Sequence, residues 1–390
     1  MLARLAWLVV LGGLAVFGPS AIAQRSVKIG FVSTLSGGGA ALGIDIRDGF
    51  NLALRHLNNQ IGGLPVEVIV ADDQQNPDVA RQAVERFLRR DRVDFITGIV
   101  FSNILLAVGD TIFESKVFYI SPNAGPSEYA GEQCNPFFIN AAWQNDNLHE
   151  AMGHYVQTRR FENVFLLAPN YPAGRDALTG FKRFYKGSIA AEVYFRLNQL
   201  DFAVEIAQIR AARPKAVYLF APGAMGINFI KQYADAGLRL QIPLFLPGFS
   251  ADQDTIRAVG SALVGVFNSS HWALELANPI NQRFVDEFQK VYGRIPTLYA
   301  AQGYDTALLL DNAVRAVGGD LTKKEELRRA MLAGFNSTRG FVRFSPNGFP
   351  IQNYYLRQVT QLPNGEIRNR LVGTIFTNHR DAYVQKCPLK

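Results

Sequence analysis

The residues whose types and spacing could do chemistry are few. His149-Glu150 and His154 come nearest to a metal site, because two imidazoles and a carboxylate on one helix are the parts of a zinc hydrolase. Their spacing is i, i+5, which sets the rings about 140° apart at about 3.6 residues per turn. One ion needs i, i+4, so these histidines are expected as ordinary surface or packing residues. Gly248-Phe249-Ser250-Ala251-Asp252 offers a serine in a turn but lacks the second glycine of a nucleophile elbow, and reads as a plain loop. Asp72-Asp73 could offer two carboxylates to a hard cation, but adjacent side chains at a strand end point apart. Neither Cys134 nor Cys387 has a neighbouring histidine to activate it. No constellation supports catalysis, and neither a metal nor a cofactor is expected.

The elements that carry these residues alternate. Strand-like runs at 27–33, 66–71, 94–100 and 117–120 are separated by helical patterns. In the first of these Ile46, Phe50, Ala53, Leu54 and Leu57 recur at helical spacing from about Ile44. The alternation restarts at 164–168 and continues through 192–196, 216–221, 243–246 and 264–268. Two successive sets of strand–helix units imply two doubly wound α/β lobes with parallel sheets. Later come long helices at 281–292 and 300–317, a shorter one at 323–332, and strands at 341–344, 354–360 and 367–374.

Composition fits such a fold. The 390 residues allow two domains, and 48% hydrophobic against 19% charged residues excludes a disordered chain. Forty Lys+Arg against 33 Asp+Glu gives +7, with basic residues scattered among acids, so no nucleic-acid surface is expected. Residues 1–23 hold a single Arg4, an apolar run from Leu5 to Phe17, a Gly18-Pro19 break and Ala21-Ile22-Ala23. That is the pattern of a secretory signal peptide cut before Gln24, with an uncleaved anchor as the alternative. Removing Arg4 takes the charge from +7 to +6. Export would expose Cys134 and Cys387 to an oxidising compartment, where they are expected to pair. Two separate buried thiols are the alternative. The glycines of Gly37-Gly38-Gly39 and Gly43 suit a dinucleotide-binding turn, but the loop from Thr34 to Gly43 is long for one. An exported NAD enzyme would also lack a ready cofactor supply.

In open parallel sheets ligands bind outside the carboxyl ends of the strands. Here those ends lead into 36–42, Phe101-Ser102-Asn103 and 121–126, then into Asn170-Tyr171-Pro172, Ala221-Pro222-Gly223 and 247–250. The first set supplies hydroxyls, amides and open backbone N–H groups near a helix start, which suit a carboxylate. The second supplies the flat rings of Tyr171 and Phe249. Helix capping or turn formation is the plain alternative for Ser102 and Ser121.

In this order, these residues resemble the periplasmic substrate-binding proteins of ABC importers of the leucine/isoleucine/valine-binding type. The resemblance runs through Val27-Lys28-Ile29-Gly30, Leu35-Ser36-Gly37, Asp48-Gly49, Asp72-Asp73 with Asn76-Pro77, and Ile120-Ser121-Pro122-Asn123. It continues through Tyr171 with Gly174, Tyr292-Gly293, Pro296 and 299–305. It implies two lobes joined by three crossovers near Ala142, Trp272 and Pro350, closing on a ligand at a hinge. Lobe 1 would combine 24–142 with 273–349, and lobe 2 would combine 143–272 with 350–390. It further implies a monomeric periplasmic protein that is not an enzyme and that docks, closed, on a membrane permease. Ser102, with Asn103 beside it, matches the family's carboxylate-binding position. Asn123, Ala124 and Gly125 match a segment presenting backbone groups, and Tyr171 an aromatic cap. Leu42, Ala221 and Tyr299 fall among the pocket-lining positions. The same fold also serves receptors and amide regulators.

One position departs from the amino-acid pattern. Amino-acid binders place a carboxylate for the ligand's ammonium in the loop that here reads Pro247-Gly248-Phe249. A buried ammonium without an anionic partner costs several kcal/mol, so the ligand is expected to be a small organic acid without an ammonium group, an aromatic carboxylate such as a benzoate or hydroxycinnamate derivative. The segments Ser270-His271-Trp272, Asn278-Pro279 and 299–305 are similar to the aromatic-acid-binding branch. Asp252 or Asp305 supplying the missing charge keeps branched-chain or other amino acids as the alternative.

Overall fold

The computed structural model describes residues 26–389; the expected export segment and its cleavage position lie outside the described residues. The first lobe is built on β1 (Val27–Ser33), β2 (Gln60–Ile61), β3 (Leu64–Asp72), β4 (Phe95–Thr97), β5 (Phe118–Ser121) and β6 (Phe138–Asn140), in the order β2-β3-β1-β4-β5-β6. All neighbours are parallel except β2 with β3. The crossovers are α1 (Ala40–His56), α2 (Pro77–Arg86) and α3 (Ser102–Glu114), followed by the short α4 (Ser127–Ala130). Strands such as β1 and β5 are buried along almost their whole length, as expected when helices cover both faces. α2 starts where Asn76 accepts from the Asp78 N–H, with Pro77 at the first helical position.

The chain crosses over through α5 (Asn147–Thr158) into a second set. Here β7 (Val164–Pro169), β8 (Ile189–Phe195), β9 (Ala216–Leu219), β10 (Leu244–Pro247) and β11 (Phe267–Ser270) alternate with α6 (Pro172–Phe184), α7 (Ala203–Ala212), α8 (Ala224–Asp235) and α9 (Gln253–Val259). Helices α10 (Pro279–Tyr292), α11 (Leu298–Ala316) and α12 (Lys324–Leu332) follow, and then β12 (Phe335–Ser337), β13 (Gly340–Phe344), β14 (Pro350–Gln361) and β15 (Ile367–His379). The second sheet runs β12-β13-β14-β11-β10-β9-β7-β8, with β15 also on β14. Its β7–β11 portion is parallel, and everything from β14 outward is antiparallel. The doubly wound two-lobe expectation holds, with an antiparallel margin added by the C-terminal strands.

Helix α11 returns to the first lobe and packs closely on α1. A methyl group at Gly49 would stand 1.9 Å from the Ala300 carbonyl oxygen, and one at Gly303 would stand 1.9 Å from that of Ile46. Only glycine lets the two backbones meet this closely. One hydrophobic core runs continuously through both lobes by way of Trp143, Tyr171, Phe220, Phe249 and Tyr299. A second fills the outer face of the second sheet. Cys134 and Cys387 are disulfide-bonded with Cα atoms 5.6 Å apart, so the C-terminal tail is fastened to the loop after α4.

Several boundaries differ from the sequence expectation. Helix α1 begins at Ala40, four residues before Ile44, because the Gly37 carbonyl accepts the first turn bond from Ala40. The three-residue β6 carries too short an apolar run to be read as a strand. Asp72 and Asp73 hold a turn: Asp72 accepts from the N–H groups of Leu35 and Gln74, and Asp73 from the Thr34 hydroxyl and the Gln75 N–H.

Candidate ligand-binding site

The loops at the carboxyl ends of both sheets line one cavity between them. From the first lobe come Leu42, Val100, Phe101, Ser102, Asn123, Ala124 and Tyr299; from the second side come Trp143, Asn145, His149, Tyr171, Ala173, Phe220, Pro222 and Phe249. Its walls are rings in edge and tilted contact. Trp143 meets Phe249 at 4.4 Å, His149 meets Phe220 at 4.9 Å, and Phe101 reaches across to Tyr171 at 6.3 Å. Among the described residues no aspartate, glutamate, lysine or arginine lines the cavity.

Polar groups enter at defined points. Ser102 opens α3, whose preceding residue Phe101 provides no side-chain cap. The first-turn N–H groups of Ser102 and Asn103 therefore have no described backbone acceptor. The Ser102 oxygen accepts from the Asn145 amide at 3.1 Å, which leaves its own proton free to donate. Asn145 is fixed in turn: it accepts from the Gly125 N–H at 3.0 Å and donates to Asp176 on α6 at 2.9 Å. Asp176 also accepts from the hydroxyl and N–H of Ser127, so this chain of bonds spans both lobes. Burial pushes the Asp176 carboxyl up. The Tyr171 hydroxyl has no hydrogen bond among the described residues, and burial keeps it protonated. An oxyanion beside Ser102 would meet a hydroxyl, open N–H groups and the positive end of α3.

Of the ten residues expected here, seven line the cavity: Leu42, Ser102, Asn123, Ala124, Tyr171, Phe249 and Tyr299. Asn103, Gly125 and Ala221 stand behind the lining. One residue past Ser102, the Asn103 side chain is turned about 100° around α3. The Gly125 N–H is used by Asn145, and that of Ala221 by the Ser250 hydroxyl at 2.8 Å. His149 was expected as an ordinary surface or packing residue, yet it lines the cavity from the first turn of α5. His154 packs between Phe184 and Phe376, so the two rings diverge. The glycine loop after β1 lies against the other lobe, where the Gly38 carbonyl accepts from the Ala224 N–H at 3.1 Å.

A model of the family described as periplasmic binding protein matches residues 26–366. The chain belongs to the periplasmic binding protein family. Over 379 residues it is 26% identical to a Leu/Ile/Val-binding protein homolog 6 of Brucella melitensis, covering 94% of this chain and 96% of that one. A solute-binding protein of an ABC transporter from R. palustris, solved in complex with benzoate, superposes with a TM-score of 0.88 at 30% identity, covering 94% and 100% of the two chains. A second, from Rhodopseudomonas palustris BisB5 in complex with 3,4-dihydroxybenzoic acid, gives 0.85 at 27% identity, covering 92% and 99%. The chain is accordingly a solute-binding protein of the ABC-transporter type, and its family implies a periplasmic location.

In this periplasmic binding protein both carboxylates considered for an ammonium group are committed elsewhere. Asp252 pairs with the buried Arg357 at 3.4 Å and accepts from the Leu298 N–H at the start of α11 at 2.5 Å. Asp305 pairs with Arg339 at 3.0 Å and accepts from the N–H and hydroxyl of Thr338. Burial raises the pKa of both, and the paired guanidinium opposes it. Beside Asp252, in the first turn of α9, Asp254 is 6% exposed. Neither of its carboxylate oxygens has a hydrogen-bond partner of normal geometry. Burial, then the charges of Asp252 and Asp45, push it up to about 7; the Thr255 amide and Arg257 oppose this more weakly.

Proposed function

We propose that this protein captures a small aromatic carboxylate, such as a benzoate or hydroxycinnamate, between its lobes and delivers it to the membrane permease of an ABC importer. One observation carries the reading: the cavity is walled by aromatic rings, has open donors at Ser102 and the start of α3, and holds no carboxylate for an ammonium group. Ser102 and Ala124 receive the ligand carboxylate, Asn123 shapes that end, and Tyr171, Phe249, Leu42 and Tyr299 enclose the ring. The moving bodies are 24–142 with 273–349 and 143–272 with 350–390. Closure is favoured because only the closed state gains both sets of contacts. The benzoate and dihydroxybenzoate complexes of the R. palustris proteins support the same ligand class.

The Leu/Ile/Val-binding name of the Brucella relative supports a branched-chain amino acid as the second reading. Thermal-shift titration of the mature protein with leucine, valine, benzoate, hydroxybenzoates and hydroxycinnamates separates the two, since a ligand of the folded state raises the melting temperature by mass action. Stabilisation by aromatic acids and none by leucine is expected. The reverse pattern would overturn the aromatic reading.

A further inference from the structure

We infer that His149 is the specificity residue of this cavity: Tyr218 fixes its imidazole as an Nε2–H donor that selects aromatic acids bearing a ring oxygen. This rests on reading the cavity as an aromatic-carboxylate site.

His149 is 1% exposed and Tyr218 on β9 is fully buried. The Tyr218 hydroxyl is hydrogen-bonded to His149 Nδ1, and it has no other partner among the described residues. Phe181 stacks on the Tyr218 ring at 4.2 Å and holds it in place. Burial keeps the phenol protonated and lowers His149 to about 3, so both groups are neutral. Two neutral groups can share one hydrogen bond in two ways. If Nδ1 carried the proton, the phenol O–H would be buried with nothing to receive it, a state that buried hydroxyls avoid. Tyr218 therefore donates to Nδ1. The single imidazole proton then sits on Nε2, on the far side of the ring, where no described residue accepts it.

That N–H stands in an apolar box. Phe220 lies at 4.9 Å and Phe249 at 5.6 Å from the imidazole. Phe220 follows Tyr218 by two positions, just past the end of β9, so one stretch of chain both orients the donor and builds the wall beside it. Ser102 takes the carboxylate from the opposite lobe, which leaves His149 to face the ring substituents. A ligand with a hydroxyl there accepts the Nε2–H bond; an isostere with a methyl group leaves the donor unpaired.

Calorimetric titration of the mature chain tests this with two pairs of equal shape, 4-hydroxybenzoate against 4-methylbenzoate and 3-hydroxybenzoate against 3-methylbenzoate. In at least one pair the hydroxy acid is expected to bind about tenfold more tightly. The readout is the ratio within a pair, which general damage to the fold does not move. His149→Leu should bring the ratio close to one, and His149→Gln, which keeps an N–H donor, should restore part of it. Tyr218→Phe frees Nδ1 and should cut the ratio to a few-fold. In ¹⁵N spectra of the unliganded protein His149 should show a pyridine-type Nδ1 and a pyrrole-type Nε2. A wild-type ratio near one in both pairs, a ratio unchanged in His149→Leu, or a pyrrole-type Nδ1 would each overturn the inference. If aromatic acids bind with a ratio near one, the inference alone fails. If none binds and leucine does, the reading of the cavity fails and takes the inference with it.

Discussion

Asp254 is the group whose replacement tests the lobe seam most directly. Its carboxyl rises from an ordinary 3.8 to about 7 in the folded protein, chiefly because both oxygens are buried without partners. The folded state thus holds a proton that the unfolded chain releases. A raised carboxyl contributes stability that is fully present below its unfolded pKa, near 4, and is lost as pH rises through the folded value. Over about three pKa units the contribution is on the order of 4 kcal/mol. Stability from this group should fall by about one decade in equilibrium constant per pH unit between pH 4 and 7, and level off above 7. Asp254→Asn keeps the shape and a polar neutral head, much as the protonated acid does, but cannot ionise. Denaturant unfolding of both proteins from pH 4 to 8 should give curves that converge at pH 4 and separate in favour of the variant towards pH 8. Asp176 and Asp305, also raised by burial, titrate in both proteins, so the difference curve removes them. Asp45 and Asp252 lose a like charge at the same time, which adds in the same direction. A difference that stays constant with pH would refute the reasoning, because a purely steric effect of the amide has no reason to titrate.

Three further outcomes are expected. Ser102→Ala removes the hydroxyl that Asn145 leaves free to donate, and should weaken binding of an aromatic carboxylate by roughly 10- to 100-fold, the range for a hydrogen bond to a charged group; isothermal titration measures it, with circular dichroism confirming an intact fold. Gly303→Ala would set a methyl group 1.9 Å from the Ile46 carbonyl and should destabilise by at least about 1–3 kcal/mol, read by denaturant unfolding. Cys387→Ser frees the tail that the bridge to Cys134 fastens, and should cost about 2–4 kcal/mol under non-reducing conditions; in a strong reductant its melting temperature should coincide with that of the wild type.

The fold was legible because strands buried on both faces read as short apolar runs, and the helices between them keep a strong apolar face. Boundaries slipped where local signals were weak. β6 spans only Phe138–Asn140, and α1 starts inside the glycine loop. The cavity was legible to the extent that it is made of loops. Ser102, Asn123, Tyr171 and Phe249 follow strand ends and could be located by topology alone. Trp143, Asn145 and His149 could not, because they belong to the crossover and the first turn of α5, and which way that segment faces is decided by the packing of two lobes. Phe220 was hidden for a related reason: as the residue just past β9 it looks like core. His149 carried a misleading signal as well, since its spacing to His154 invited a metal reading whose failure left only packing as the default.

The same packing bears on the proposed ligand, because the acid three residues past Phe249 is not free to serve an ammonium group. Asp252 is held by Arg357, and it also caps the first N–H of α11 from the other lobe. A ligand ammonium that recruited it would have to leave the buried guanidinium unpaired and break the bond to Leu298. Removing one partner from a buried pair typically costs about 3–5 kcal/mol, comparable to the whole difference between a micromolar and a millimolar ligand, about 4 kcal/mol. In this chain the carboxylate therefore serves as a clasp between the lobes, and the volume beside it is filled by Phe249, packed on Trp143 and His149. A lining without a carboxylate among the described residues and an ion pair that sequesters the nearest one act together, and both favour the proposed ligand, whose second end is a ring.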